Sequence, residues 1–282
     1  MKKLKNQFLM VLSLLVIGMG TALAQDFNGT ATYQSARKAR SIKFSGEGIT
    51  PEMQKQLDEM MKKRDQKEFE LKFNLTESIW KEAESLEGSA PSGSAGGIQV
   101  MSFSSGGANG TTYRNTADNL SLKQSDLFGK PFLVRAELEN RAWELTNETK
   151  KIGNYTAQKA VYSRTVQRQM ITFNNDVEGE PEMKTDTMTV EAWYTPEIPV
   201  SHGPQDYWGL PGLILELNDG TTTYLCTKVV LNPEGGVTIK KPKKGKKVTQ
   251  EEYQELVKEK AKEMSEKYSG GGATFRIGGG QQ

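Results

Sequence analysis

Residues 191–217 read EAWYTPEIPVSHGPQDYWGLPGLILEL. Pro196, Pro199, Pro204 and Pro211 fall within sixteen residues of this stretch. Proline fixes φ and lacks a backbone donor, so the stretch can be neither regular helix nor central strand. It must be an extended, shaped loop. Leu210-Pro211-Gly212-Leu213 has the chemistry of a type II turn, with Gly212 expected at the position that needs positive φ. Residues 213–217 then have strand composition, Asn218-Asp219-Gly220 signals a hairpin, and residues 221–231 read as the return strand. A two-residue turn at Asp219-Gly220 predicts Leu217 opposite Thr222, Leu215 opposite Tyr224 and Leu213 opposite Cys226, all on one face. Ile214 and Leu225 would then pair on the other face. Apolar side chains on both faces predict a central position in the sheet.

The same alternation recurs along the chain. Residues 28–33, 68–83, 98–103, 111–114, 120–124, 132–138, 142–149, 160–173 and 187–194 read as strands separated by turn-forming residues. In residues 68–83 the alternating apolar set is Phe69, Leu71, Phe73 and Leu75. Thr50-Pro51-Glu52 opens a helix carrying Met53, Leu57, Met60 and Met61 on one face. Thr249-Gln250-Glu251-Glu252 is a capping box for a second helix reaching about Tyr268, with a stripe of Tyr253, Leu256, Val257, Ala261, Met264 and Tyr268. The expected fold is mainly β: a curved antiparallel sheet or half-open β-barrel closed by the proline-rich segment, with two peripheral helices. Residues 25–239 form the β domain, 240–248 (with the run KKPKKGKK) a basic linker, and 249–282 a helix with a glycine-rich tail.

Export is expected from the N-terminus. Lys2, Lys3 and Lys5 precede an apolar core from Phe8 to Met19, and Ala22-Leu23-Ala24 is a small-x-small cleavage site. Residues 1–24 thus read as a signal peptide, too short in its apolar run to span a membrane. Cleavage after Ala24 removes three of the 37 basic residues against 35 acidic ones, moving the formal charge from +2 to −1. Such a balance gives no reason to expect nucleic acid. Cys226 is the single cysteine, so no intramolecular disulfide can form.

Residues 193–215 closely resemble the GLPGLI family, which takes its name from the motif at Gly209–Ile214. The resemblance rests on Trp193-Tyr194-Thr195, Glu197-Ile198-Pro199, Gly203-Pro204 and Gly209 through Leu215. Upstream, WELTNETKKI at 143–152, Tyr155 and Gln158-Lys159-Ala160 fit the same pattern, and the resemblance covers about residues 26–232. It implies an exported protein of Bacteroidota, associated with outer-membrane systems in periplasm or cell envelope, and it assigns no reaction. Ala157 stands where the family often has a cysteine, and an acidic excursion near 174–186 replaces a short connection.

The residue types that carry chemistry are sparse. His202 is the only histidine, which rules out a zinc site built on several histidines. No Gly-x-Ser-x-Gly elbow and no Walker-type loop occurs. A Cys226–His202 nucleophilic pair is formally available, but the hairpin register predicts Cys226 packed among Leu213, Leu215 and Tyr224. Asp176, Glu178, Glu180, Glu182 and Asp186 fit no EF-hand spacing and read as a solvated loop. The methionines read as a packed helix face rather than a copper site, and the lysine run as a solvated linker rather than a lipid contact. No catalytic residue, metal ligand or cofactor is therefore assigned. The candidate partner- or ligand-binding residues are His202, Tyr207, Trp208, Gly209, Leu210, Pro211 and Gly212. They form either a docking tip or a plug at one end of the sheet; the plug is the expectation. The expected function is that of a non-enzymatic envelope protein binding an envelope partner or an apolar ligand. A carrier of acyl chains in an open half-barrel and a hydrolase built from scattered carboxylates are the alternatives.

Overall fold

The computed structural model describes residues 27–37, 66–83, 110–127, 129–170 and 182–268, with isolated short stretches at 52, 55, 94–95, 98–99, 173–174 and 177–178. The strands are β1 (Asn28–Arg37), β2 (Gln66–Asn74), β3 (Glu77–Glu82), β4 (Ser94–Ala95), β5 (Ile98–Gln99), β6 (Thr111–Asn115), β7 (Leu120–Leu127) and β8 (Lys130–Glu137). They continue as β9 (Glu144–Ile152), β10 (Tyr155–Met170), β11 (Phe173–Asn174), β12 (Val177–Glu178), β13 (Glu182–Thr195), β14 (Leu213–Asn218), β15 (Thr222–Leu231) and β16 (Lys246–Thr249), followed by helix α1 (Gln250–Tyr268). Twelve strands make one sheet in the order β16-β8-β7-β6-β3-β2-β1-β15-β14-β13-β10-β9. All neighbours are antiparallel except β16 and β8. The sheet is open, with β16 and β9 as its two ends, which agrees with the expected curved antiparallel architecture.

The registers define two faces, because side chains opposite one another in a ladder point the same way. One row runs Ala31, Leu71, Trp80, Thr112, Lys123, Val134, Val248. This face, together with Tyr33, Phe73, Tyr224, Leu217, Ala192 and Ala160, carries the main core and is called the inner face. The opposite row runs Lys72, Ile79, Tyr113, Leu122, Arg135, Thr249. On this outer face a smaller cluster of Tyr113, Leu120, Leu122 and Leu133 packs against Ile239.

Three coverings follow from this layout. Residues 196–212, between neighbouring strands β13 and β14, fold back over the inner face as an inner strap. Residues 232–245 lead from β15 across the outer face to β16 at the sheet's end, forming an outer strap. Helix α1 covers the inner face at β8 and β16, where Tyr253, Leu256 and Val257 pack on Leu127, Phe132, Val134 and Val248. The expected capping box is present: Thr249 N donates to Glu252 Oε2 at 2.8 Å, and Glu252 N donates to Thr249 Oγ1 at 3.2 Å.

Several expectations need correction. Residues 68–83 are two strands, not one. Asn74 Oδ1 accepts the N–H groups of Thr76 (2.9 Å) and Glu77 (2.6 Å), so its side chain closes a turn at Leu75-Thr76. Leu75, expected in the apolar alternation, is 57% exposed. The β14–β15 hairpin pairs Leu217 with Tyr224 and Asn218 with Thr223, two residues from the predicted register. Asp219 Oδ1 takes the N–H groups of Thr221 and Thr222 at 2.9 and 2.7 Å, and this local bonding lengthens the loop. A shift of two keeps every side chain on its expected face. Ile214 and Leu225 do not pair: Ile214 lies under the inner strap, whereas Leu225 faces Glu216 and is 41% exposed. Cys226 sits opposite Tyr33 of β1, half-buried against the main core.

The acidic excursion is narrower than expected. β10 and β13 pair out to Met170 and Glu182, so Glu182 and Asp186 lie in a strand. The helix expected near residues 50–61 and its methionines lie outside the described residues, apart from Glu52 and Lys55, which are helical and exposed. Lys246 to Thr249 of the lysine-rich stretch form the twelfth strand of the sheet.

Candidate functional site

The inner strap is shaped by its own sequence before it meets the sheet. Prolines deny it a regular ladder, so its backbone groups pair irregularly. Val200 N donates to Ile198 O at 2.8 Å, Tyr207 N to Pro204 O at 3.0 Å and Gly209 N to Ser201 O at 3.2 Å. It is then stitched to the start of β14, with Leu213 N on Ile198 O at 3.0 Å and Ile214 N on His202 O at 3.1 Å. These bonds are why β14 starts sharply at Leu213 with both faces buried.

Gly212 is required here, but not for the expected reason. Positive φ falls at Gly209 (95°) and Gln205 (49°), not at Gly212. A Cβ on Gly212 would instead lie 2.5 Å from the carbonyl carbon of Thr195 and 2.8 Å from Pro196 N, with the Thr195 oxygen closer still. The turn is tight because the strap's exit crosses its own entrance, and only glycine leaves room for that approach. Gly203 serves the same end, since a Cβ there would meet Ile214 Cδ1 at 2.6 Å.

Side-chain bonds fasten the strap and the start of β14 to distant parts of the sheet. Arg114 of β6 donates from Nη2 to Gln205 O at 2.6 Å, and Gln205 Nε2 donates to the Tyr224 hydroxyl. Arg141 donates to Asp206 O at 2.9 Å and lies 4.8 Å from the Tyr207 ring centroid. Trp143 Nε1 donates to Trp208 O at 2.9 Å. Tyr33 OH donates to Ile214 O at 2.6 Å. His202 Nε2 lies 3.1 Å from Asn74 O and must carry the proton, because a carbonyl can only accept. Each such bond contributes roughly 1 kcal/mol net, but an abandoned partner would cost more, so the set acts as one unit.

The candidate residues divide by position. His202, Tyr207, Leu210 and Gly212 are buried, with Leu210, Ile198 and Val200 packed into the main core. Trp208 is half-buried, and Gly209 and Pro211 are exposed. The structure therefore brings all seven into one strap, four as its underside and three as its outward corner. Burial, the nearby Arg114 guanidinium and, in opposition, the bond to Asn74 set the His202 imidazole, whose pKa falls to about 3. Burial pushes the Cys226 thiol up to about 12, and its Sγ donates to Lys228 O at 3.5 Å. A neutral, buried imidazole and a protonated thiol are poorly placed for nucleophilic or base chemistry. Buried Arg114 has its own pKa lowered to about 10, chiefly by desolvation. Among the described residues no group of three or more His, Cys, Asp or Glu is arranged to hold a metal ion. No described helix is long and apolar enough to cross a membrane.

Sequence reasoning missed Arg114, Arg141, Gln205, Tyr33 and Tyr224. A buried arginine on a short strand carries no local signal, since its partner is a carbonyl ninety residues away. Trp143 opens the segment that carried the resemblance, but its role as a donor to the strap is visible only in three dimensions.

A family model described as a protein of unknown function, Porph_ging, matches residues 143–216, from Trp143 to the middle of β14. That span holds the inner strap and most of what fastens it on one side. No curated protein matches the chain. Two crystal forms of PNGF-II are similar at 14% and 13% sequence identity, each with a TM-score of 0.45 over 82% of this chain. The chain spans about a third of that protein, 32% and 33% of its length in the two crystals.

Proposed function

We propose that this is an exported, non-enzymatic protein of the cell envelope, of the GLPGLI type, whose strap corner of Trp208, Gly209 and Pro211 docks a partner. The observation that carries it is the division within the strap. Its underside is locked into the core, while a half-buried tryptophan and two exposed residues stand on a rigid base. A preordered aromatic corner loses little entropy on binding, and tryptophan is a frequent interface anchor. The N-terminal basic, apolar and Ala-x-Ala sequence supports export. The acyl-carrier alternative needs an open apolar concavity, and Ile198, Val200, Tyr207 and Leu210 occupy the inner face where one would lie. The states of His202 and Cys226 weigh against a hydrolase built on either.

The test combines fractionation with affinity capture. Mass spectrometry of protein from the native host is expected to show a chain starting at Gln25 in the periplasmic or envelope fraction. Recovery of intact Met1 there would reject export. Capture from envelope extract is expected to retain a partner that Trp208→Ala loses while remaining folded. A partner held equally by the variant would remove the corner from the interface.

A further inference from the structure

Six lysines, Lys240, Lys241, Lys243, Lys244, Lys246 and Lys247, occupy eight consecutive positions at the end of the outer strap and the start of β16, and all six are exposed. We infer that this lysine ledge, with Arg135 beside it, is a docking surface for the phosphate headgroups of an anionic lipid bilayer.

The ledge is held, not loose. Ile239 anchors it in the outer cluster of Tyr113, Leu120, Leu122 and Leu133. Gly245 (φ +119°) lies so close to β8 that a Cβ would meet the Phe132 carbonyl carbon at 2.6 Å. Lys246 to Thr249 then pair in parallel with Phe132 to Arg135. By this register Lys247 and exposed Arg135 point to the outer face, while Lys246, opposite Phe132, points to the inner face beside α1.

The charge is also uncompensated. Among the described residues no carboxylate lies within ion-pair distance of any of the six lysines, and Lys241 instead sits 5.7 Å from the Tyr113 ring centroid. Lys246 and Lys247 border a groove shared with Glu252, Glu255 and Glu259 of α1, so the excess is greatest at Lys240, Lys241, Lys243 and Lys244. The chain as a whole is near neutral, +2, so this is a local concentration rather than a basic protein.

The chemistry selects the partner. Lysine is a hydrated point charge on a flexible stem, suited to a plane of headgroups rather than to bidentate capture of one phosphate. A cluster of this size matches the basic segments that bind anionic membranes, at roughly fivefold in affinity per lysine.

The test is vesicle co-sedimentation of the full chain. Its readout is the preference for phosphatidylglycerol/phosphatidylcholine vesicles over pure phosphatidylcholine, at low and high salt. The expected result is a preference that high salt abolishes and that the triple variant Lys240→Gln, Lys243→Gln, Lys244→Gln reduces roughly a hundredfold. Trp208→Ala is expected to keep it, which separates the ledge from the strap corner. The inference is overturned if there is no preference, if the triple variant retains it, or if Trp208→Ala abolishes it. Binding of heparin without vesicle preference would also overturn it, assigning the ledge to a soluble polyanion.

Discussion

The two straps do opposite work with similar means. Each is an irregular segment laid across one face of the same sheet, and each contains a glycine pressed against backbone, Gly212 against Thr195 and Gly245 against Phe132. The inner strap sends Ile198, Val200, Tyr207 and Leu210 into the core, accepts bonds from Arg114, Arg141 and Trp143, and reaches through its own His202 to Asn74 of β2. The outer strap commits one anchor, Ile239, to a small cluster and leaves its lysines in water. The inner strap is therefore part of the fold, while the outer strap is a surface that the fold holds in place. A loop's place in the energetics follows from what it buries, not from its lack of regular structure.

The largest expected effect separates the straps most sharply. Gly212→Val drives a branched side chain into the Thr195 peptide and is expected to cost about 5 kcal/mol or to prevent folding. Gly245→Ala, in the outer strap, is expected to cost about 2 kcal/mol, releasing the ledge and β16 from an otherwise intact sheet. Thermal melts of the two variants make the comparison. An unchanged melting temperature for Gly212→Val would remove the inner strap from the core.

Next in size is a pH effect confined to the inner strap. His202 has a folded pKa near 3, well below the ordinary 6.5. Between those values the unfolded chain binds a proton that the folded chain refuses. Stability is then full above about pH 6.5 and declines as pH falls toward 3, by roughly 3 kcal/mol at pH 4 from this one group. Denaturant titrations at pH 7.5, 5.5 and 4 should show the decline, and His202→Gln should flatten it, because an amide can still donate to Asn74 O without titrating. Equal slopes for variant and parent would mean that His202 is not buried neutral.

Trp208→Ala is expected to cost about 1–2 kcal/mol, below the roughly 3–5 kcal/mol of a fully buried aromatic. The strap uses the Trp208 carbonyl, which the variant keeps, and the indole is only half-buried. A loss at the upper figure would make Trp208 core and weaken the docking proposal. Smallest of all, Lys244→Ala should leave the melting temperature within about 0.5 kcal/mol of the parent. A larger shift would mean that the ledge is structural.

Much of the sheet was legible because its signals are local. Alternation located β1, β6, β7, β8, β14 and β15. The Thr249–Glu252 capping box located α1. Two of the errors came where a short polar side chain bonded its own backbone. Asn74 split one expected strand into two, and Asp219 moved the hairpin register by two residues. Asn and Asp signal a turn in sequence without fixing its length, since the same oxygen can accept from two following amides.

What the sequence determined by itself is the chemistry available: the four prolines that forbid a regular ladder, the alternation that makes a sheet, the single histidine and cysteine, and the lysine run. These depend on φ restrictions, side-chain periodicity and composition, all properties of neighbouring residues. The tertiary structure decided where that chemistry lies. It set Arg114 on Gln205, put Trp143 on Trp208 and left only Trp208, Gly209 and Pro211 of the strap candidates in reach of solvent. It also placed Gly212 under Thr195, a demand for glycine that the turn pattern had attributed to positive φ. Contacts between residues tens of positions apart depend on how strands order and faces close, and no local pattern encodes that order.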